Sequence, residues 1–198
     1  LKNNLEKILK TFCHRSDGKT HIQHSNTLDG KSDLFEDYAL FASMMLKAYE
    51  ISGNAMFKDN LINVIRFIES EFKQNEWYTI KQQSKCEEND PLNLKLDLHD
   101  QSFHSPLASY IGMLRRARLL FPNEEDLFEN LDSLIKEASQ LGLQNPLYHG
   151  ECLRALTYPD NAYRIIKVPL KWLSEEKFTN FLTYVLPRFV VEYDQSDN

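Results

Sequence analysis

The chain has 198 residues, 42% hydrophobic and 26% charged, which suits one sizeable core or one domain with an appendage. Its net charge of −6 comes without any basic run to displace counterions from a phosphate backbone, so no nucleic-acid partner is expected. No apolar stretch approaches the roughly 20 residues that span a bilayer, and neither a membrane partner nor a cofactor is expected.

The first residues, LKNNLEKILK, are too polar for a signal-peptide core. The spacing of Leu5, Ile8, Leu9 and Phe12 predicts a one-faced helix over 2–13. A start without Met leads us to expect a trimmed chain or a fragment. Cys13, Cys86 and Cys152 lie far apart with no CxxC pair, which fits structural thiols in a reducing compartment and gives the cytoplasm as the expected location.

Residues 34–51 are apolar over most of their circumference, through Phe35, Tyr38, Phe41, Met45, Leu46 and Tyr49 among others, and predict a helix covered on several sides. Residues 57–72 predict a one-faced, solvent-exposed helix, with Phe57, Leu61, Val64, Ile65, Ile68 and Phe72 on its stripe. Residues 73–103 have little helical period apart from EWYTI, and a connection of that length is often functional or mobile. Residues 105–121 are again broadly apolar, with Arg115, Arg116 and Arg118 read as packing and solvated charge. Residues 124–141 return to a stripe, with Glu124, Glu125 and Asp126 at the positive helix start. Residues 146–158 predict a shorter buried helix with Pro146 in its first turn. The order is outer, inner, outer, inner, outer, inner. Beyond Tyr158-Pro159-Asp160 the pattern changes to strand (YRIIKV), helix (SEEKFTNFLTYVL, capped by Ser174) and strand (RFVVEY). The expected division is a helical domain at 1–158, an appendage at 159–194 and a disordered tail at 195–198.

Alternating inner and outer helices describe an α/α toroid or an α-solenoid. The segment DGKSDLFEDYALFASMMLKAYEISGN resembles a signature of the thioredoxin-domain-containing family of spermatogenesis-associated protein 20, in which LEDYA starts an inner helix that ends in LYEATGD-like residues. SPLASYIGMLRRARLLFPNEEDL is similar to a later segment of that family, and NPLYHGECLRAL followed by YRIIKVPL resembles its last inner helix and the strand after it. The resemblance runs in order from about Asp17 to Tyr193. It implies a six-hairpin α/α toroid, related in shape to sugar epimerases and six-hairpin glycosidases, preceded by a thioredoxin-like domain. The expected fold is therefore mainly α, a partial toroid of about three hairpins with a small C-terminal β-α-β appendage. The missing half of the toroid and the thioredoxin-like domain of a parent chain are its implied partners. Where the family has a PSGNS turn, this chain has FHSPLAS, with His104 and Pro106 in place of proline and glycine.

In a toroid the inner helices run parallel, so the loops that enter them share a rim. Those loops carry Asp33, Glu36, Asp37 and Tyr38, then Asp97, His99, Asp100 and His104, then Tyr148, His149 and Glu151. Carboxylates and imidazoles serve as general acids and bases, paired carboxylates serve glycosidic cleavage, and aromatic faces stack on sugar rings. Glu36, Asp37, Asp100, His104 and His149 are the candidate catalytic residues, with His104 as base and Glu36 or Asp100 as its partner. Tyr38, Trp77 and Tyr148 are the candidate sugar-binding surface. A plainer reading stands beside this one: acidic residues at helix starts cap backbone N–H groups, worth roughly 0.3–1 kcal/mol each without a substrate. HDQSFH offers His99, Asp100 and His104 as metal ligands, but lacks a Cys or fixed His partner, and no metal is expected. The competing function is a non-catalytic interaction domain, whose exposed helix flanks pack on the missing half or on a second copy.

Overall fold

The computed structural model of the chain describes residues 2–16, 19–24, 34–75, 77–85, 94–100, 103–157, 164–185 and 189–194. Helix α1 (Lys2–Phe12) leads into an antiparallel hairpin of β1 (Cys13–Ser16) and β2 (Lys19–Ile22), with Cys13 opposite Ile22. Helices α2 (Phe35–Ser52) and α3 (Ala55–Glu71) follow as a pair joined by two residues. Gly53 takes the left-handed conformation (φ 60°) and its N–H bonds Tyr49 O, while Asn54 accepts the Met56 N–H at 2.9 Å and caps α3.

A Cβ at Gly53 would lie 2.7 Å from Leu170 Cδ2 and 2.8 Å from the Tyr193 ring. Gly53→Ala combines left-handed strain with overpacking and should destabilise by about 2–4 kcal/mol. An unchanged midpoint in chemical denaturation would contradict this.

Short strands β3 (Lys73–Gln74) and β4 (Trp77–Tyr78) pair antiparallel after α3. Helix α4 (Pro106–Leu120) opens on Ser105, whose Oγ accepts the Ala108 N–H, with Pro106 in a first turn that needs no N–H. A 3₁₀ turn at Glu125–Phe128 precedes α5 (Leu131–Gln144) and the short α6 (Gly150–Leu156). Helix α2 packs on α3 and α4, α4 on α5 and α6, and α5 on α6. Glu50 meets Arg116 near the ends of α2 and α4, and Ser109 meets Glu151 near the starts of α4 and α6. Helices α2, α4 and α6 thus run side by side in one direction, and α3 and α5 return. The fold is mainly α with short strand pairings, and the packed helix pairs form a row that does not close into a ring among the described residues. No described helix is long and apolar enough to cross a membrane.

The C-terminal strands β5 (Arg164–Pro169) and β6 (Phe189–Asp194) pair in parallel, and α7 (Glu176–Val185) makes the crossover that a parallel pair requires. Val190 joins the main core, while Val168, Leu182, Val191 and Tyr193 form a smaller cluster.

Several local expectations need correction. Helix α3 is not one-faced: Ile62 and Phe67 are buried as well, because the β1–β2 hairpin covers a second side and lays His21 against Phe67. Glu124, Glu125 and Asp126 precede α5, in or beside the 3₁₀ turn whose Leu127 and Phe128 are buried, and Arg66 pairs with Glu124 at 3.0 Å. Pro146 lies in a turn closed by Tyr148 N–H to Asn145 O, so α6 begins only at Gly150. Ser174 does not cap α7; its hydroxyl donates to Lys171 O at the end of a 3₁₀ segment. Arg115 and Arg116 are buried, Arg115 against Ala155 O and Arg116 against Glu50. Asp33, Cys86, the boundary at 158–159 and the tail at 195–198 lie outside the described residues.

Candidate functional site

The segment that follows β4 crosses the mouths of α2 and α4 and is pinned by its backbone. Phe35 N–H donates to Ile80 O at 2.9 Å, Ile80 N–H to Leu94 O at 3.0 Å, and Leu96 N–H to Tyr78 O at 2.7 Å. Leu96 and Leu98 point into the core, which turns the intervening polar residues outward. Asp97 accepts the His99 N–H at 2.8 Å and bends the chain toward α4.

Asp100 ties two helix starts together. Its carboxylate accepts the Ser105 N–H ahead of α4 and the Glu151 N–H in α6, each at 2.8 Å, and its own N–H donates to Tyr148 O. Both side-chain bonds reach backbone donors at helix N-termini, where a negative charge is favoured.

Two adjoining clefts of about 460 and 540 Å³ open at this end of the row. Glu36, Phe103, His104 and Pro106 line both of them; Lys95, Asp97, His99 and Ser105 on one side and Asp100 with Ser109 on the other complete the polar walls. Phe103 is 81% exposed and Leu40 57% exposed, so the floor offers apolar surface to solvent. His99 stacks on Tyr148 (centroids 4.9 Å apart, planes at 19°) and meets His149 edge-on at 5.4 Å. His149 is buried, with Nδ1 3.0 Å from Asn145 O.

Glu151 lies behind His104. Its carboxylate is 1% exposed, accepts Ser109 Oγ at 2.8 Å and both Nε and Nη2 of Arg154, and stands 3.8 Å from His104 Nδ1. Burial alone would raise its pKa, but the hydrogen bonds from Arg154 and Ser109, with the nearby charges of Arg154 and His104, hold it below the usual carboxylate value. Cys152, the next residue, is buried, and burial pushes its thiol up to about 12, so it is no ready nucleophile.

The rim residues therefore separate into two groups. Glu36, Asp100 and His104 meet at the clefts, and Tyr148 and His149 adjoin them through His99. Asp37 and Tyr38 face elsewhere, because each step along a helix turns the side chain by about 100°. Asp37 pairs with His24 at 2.9 Å beside the β1–β2 hairpin. Tyr38 is fully buried, stacked on Phe67 at 4.7 Å, and its hydroxyl accepts the Ile22 N–H at 3.4 Å. Trp77 is half-buried opposite Gln74 and lines neither cleft. The expected platform of Tyr38 and Trp77 does not form. The exposed ring that lines both clefts is Phe103, an apolar residue in a polar loop two positions before the α4 cap, and this placement is its only sequence signal. Among the described residues no three His, Cys, Asp or Glu side chains gather closely enough to hold a metal ion.

No model of a known protein family matches this chain, and no curated protein matches its sequence.

Proposed function

We propose that the paired clefts at the common start of α2, α4 and α6 bind a carbohydrate. In this reading the chain is a partial α/α toroid of the thioredoxin-domain-containing type, whose remaining hairpins and thioredoxin-like domain belong to a longer protein. The parallel direction of α2, α4 and α6, with α3 and α5 returning, supports the toroid. One observation carries the ligand class: an exposed aromatic ring, Phe103, lines the same two clefts as a carboxylate, Glu36, and an imidazole, His104. A sugar presents C–H faces to a ring and hydroxyls to acceptors, and this lining suits both. Glu36 and His104 are also the residue types that move protons between sugar oxygens and carbons, a step that needs the water-excluding walls of a complete ring.

The flank of α5–α6 supports a second role, packing. Leu143 and Leu147 are 78% and 89% exposed at the end of the row, where a further hairpin or a second copy would cover them. A single experiment separates the two roles: saturation-transfer NMR with a panel of neutral hexosides and hexose phosphates, run beside sedimentation velocity. Sugar signals that vanish in Phe103→Ala and weaken about tenfold in His104→Ala are expected for the binding role. A self-associating chain with no sugar signal leaves packing as the function.

A further inference from the structure

We propose that Asp100 is the positioning residue of the clefts: by holding the backbone of Ser105 it sets where Phe103 and His104 stand, and it leaves the acid–base chemistry of the site to Glu36 and His104. The ligand part rests on the carbohydrate reading above; the positioning part stands on geometry alone.

Phe103 is 81% exposed and the His104 side chain 79% exposed. The Glu151 carboxylate stands 3.8 Å from His104 Nδ1, too far for a hydrogen bond to hold the imidazole. Side chains this exposed take their position from the backbone that bears them, and the backbone is anchored on both sides. Ser105, next after His104, is 1% exposed, so its N–H needs a partner inside the protein. Asp100 Oδ1 accepts that N–H at 2.8 Å, and the Ser105 hydroxyl donates to Asp97 O at 3.2 Å. Asp100 is itself fastened to the start of α6: its N–H donates to Tyr148 O, and its Oδ2 accepts the Glu151 N–H at 2.8 Å. Chain positions 100 and 105 are thus fixed to each other and to α4 and α6, and the ring and imidazole that line both clefts lie between them in sequence. Each Asp100 oxygen already accepts a backbone N–H at a helix start, where a carboxylate is held as a fixed charge. Glu36, exposed at the start of α2, also lines both clefts and is the carboxylate left to meet a ligand.

Hydrogen exchange of the Ser105 and Glu151 amides, ¹⁵N order parameters of Phe103 and His104, and titration with the same panel of hexosides and hexose phosphates are compared in the wild type, Asp100→Ala and Asp100→Asn. Asp100→Ala removes both acceptors. Both amides should then exchange about tenfold faster or more, and order should fall at Phe103 and His104 but not in the middle of α4. Whichever sugars bind the wild type should bind this variant about tenfold more weakly. Asp100→Asn keeps one acceptor oxygen and turns an NH₂ toward the other donor, so one amide stays protected and one does not. Binding should follow Ser105, near the wild type where Ser105 keeps the oxygen and as weak as Asp100→Ala where Glu151 keeps it. In a His104→Ala background Asp100→Ala should cost less than it does alone, because one of the two side chains it places is gone. Unchanged order at Phe103 and His104 in folded Asp100→Ala overturns the proposal, and so does binding that follows Glu151. An equal loss in both backgrounds makes Asp100 a direct ligand contact and overturns it too. Should Asp100→Ala fail to fold, Asp100→Asn carries the same comparison. Order lost at Phe103 and His104 in a protein that binds no sugar keeps Asp100 as the positioning residue and removes the carbohydrate reading instead.

Discussion

Arg116→Met should lower folding stability by about 3–5 kcal/mol near neutral pH, the cost of leaving a buried charge without its partner. The Arg116 guanidinium donates to Glu50 Oε1 at 2.5 Å and to Phe189 O at 2.8 Å, and Glu50 is wholly buried. Tyr193 adds a hydrogen bond from its hydroxyl to Glu50 O at 2.7 Å, so the pair lies where β6 docks on α2 and α4. Burial raises the Glu50 pKa, and the charges of Arg116 and Lys47 oppose that rise. A carboxyl raised in the folded state favours folding when protonated: its contribution is best below its unfolded value of 4.5 and worsens as pH climbs through the folded value. Removing Arg116 removes the largest opposing charge, so the loss should be greater at about pH 7.5 than at about pH 5. Urea denaturation at both pH values checks this, and equal losses would trace the effect to packing alone. Glu50→Leu with Arg116→Met removes both charges and should recover most of the stability, short of what Phe189 O forfeits as an unsatisfied acceptor.

That pair was illegible for a physical reason. Glu50 and Arg116 are 66 positions apart, and a charge at the end of a helix ordinarily reaches water. The signal available was the width of the apolar arc on α4: a helix apolar nearly all round has no polar face left for an arginine, so Arg115 and Arg116 had to be buried with partners. The helices themselves were legible because burial imposes a period near 3.6 that survives in sequence, and the strand–helix–strand ending was legible from β-branched runs around an amphipathic stretch. The β1–β2 hairpin was not, since each strand has four residues with too few apolar positions to alternate; the dipeptide Asp17-Gly18 between them is its sequence mark.

The candidate site divides in the same way. Acidic residues gather at the helix entrances in the sequence, and Glu36, Asp100 and His104 meet there in the fold. What a string of letters did not convey is direction. Glu36 and Asp37 are neighbours in sequence but open on different surfaces, and Tyr38, drawn as a platform, is an interior ring against Phe67. Aromatic residues at a helix start carry no mark that tells a binding face from a core face, because both uses bury the same ring. Only the covering hairpin decides, and its four-residue strands leave too little pattern to announce it.

Two phenylalanines at this mouth should therefore respond in opposite ways. Phe35, the first residue of α2, is fully buried and meets Phe72, Tyr78 and Tyr110 at centroid distances of 5.5–5.8 Å, edge to face. The two tyrosines end on one carboxylate: Tyr78 OH donates to Glu69 at 2.6 Å and Tyr110 OH at 3.1 Å. Burial raises Glu69 and both phenols, and the network depends on close packing to keep its geometry. Phe35→Ala should cost about 3–5 kcal/mol, and Phe35→Leu about 1–2 kcal/mol because less volume is lost. The Phe35 N–H also holds Ile80 at the wall of the first cleft, so a collapsing ring site should loosen ligand binding in whatever fraction stays folded. Phe103→Ala, at an exposed ring, should change stability by no more than about 0.5 kcal/mol while removing the sugar signal. Thermal unfolding of the two variants side by side tests the contrast. A Phe35→Ala protein as stable as the wild type would mean that the aromatic cluster does not hold α2 against α3 and α4, and the clefts would lose the rigid base on which Glu36 and His104 are placed.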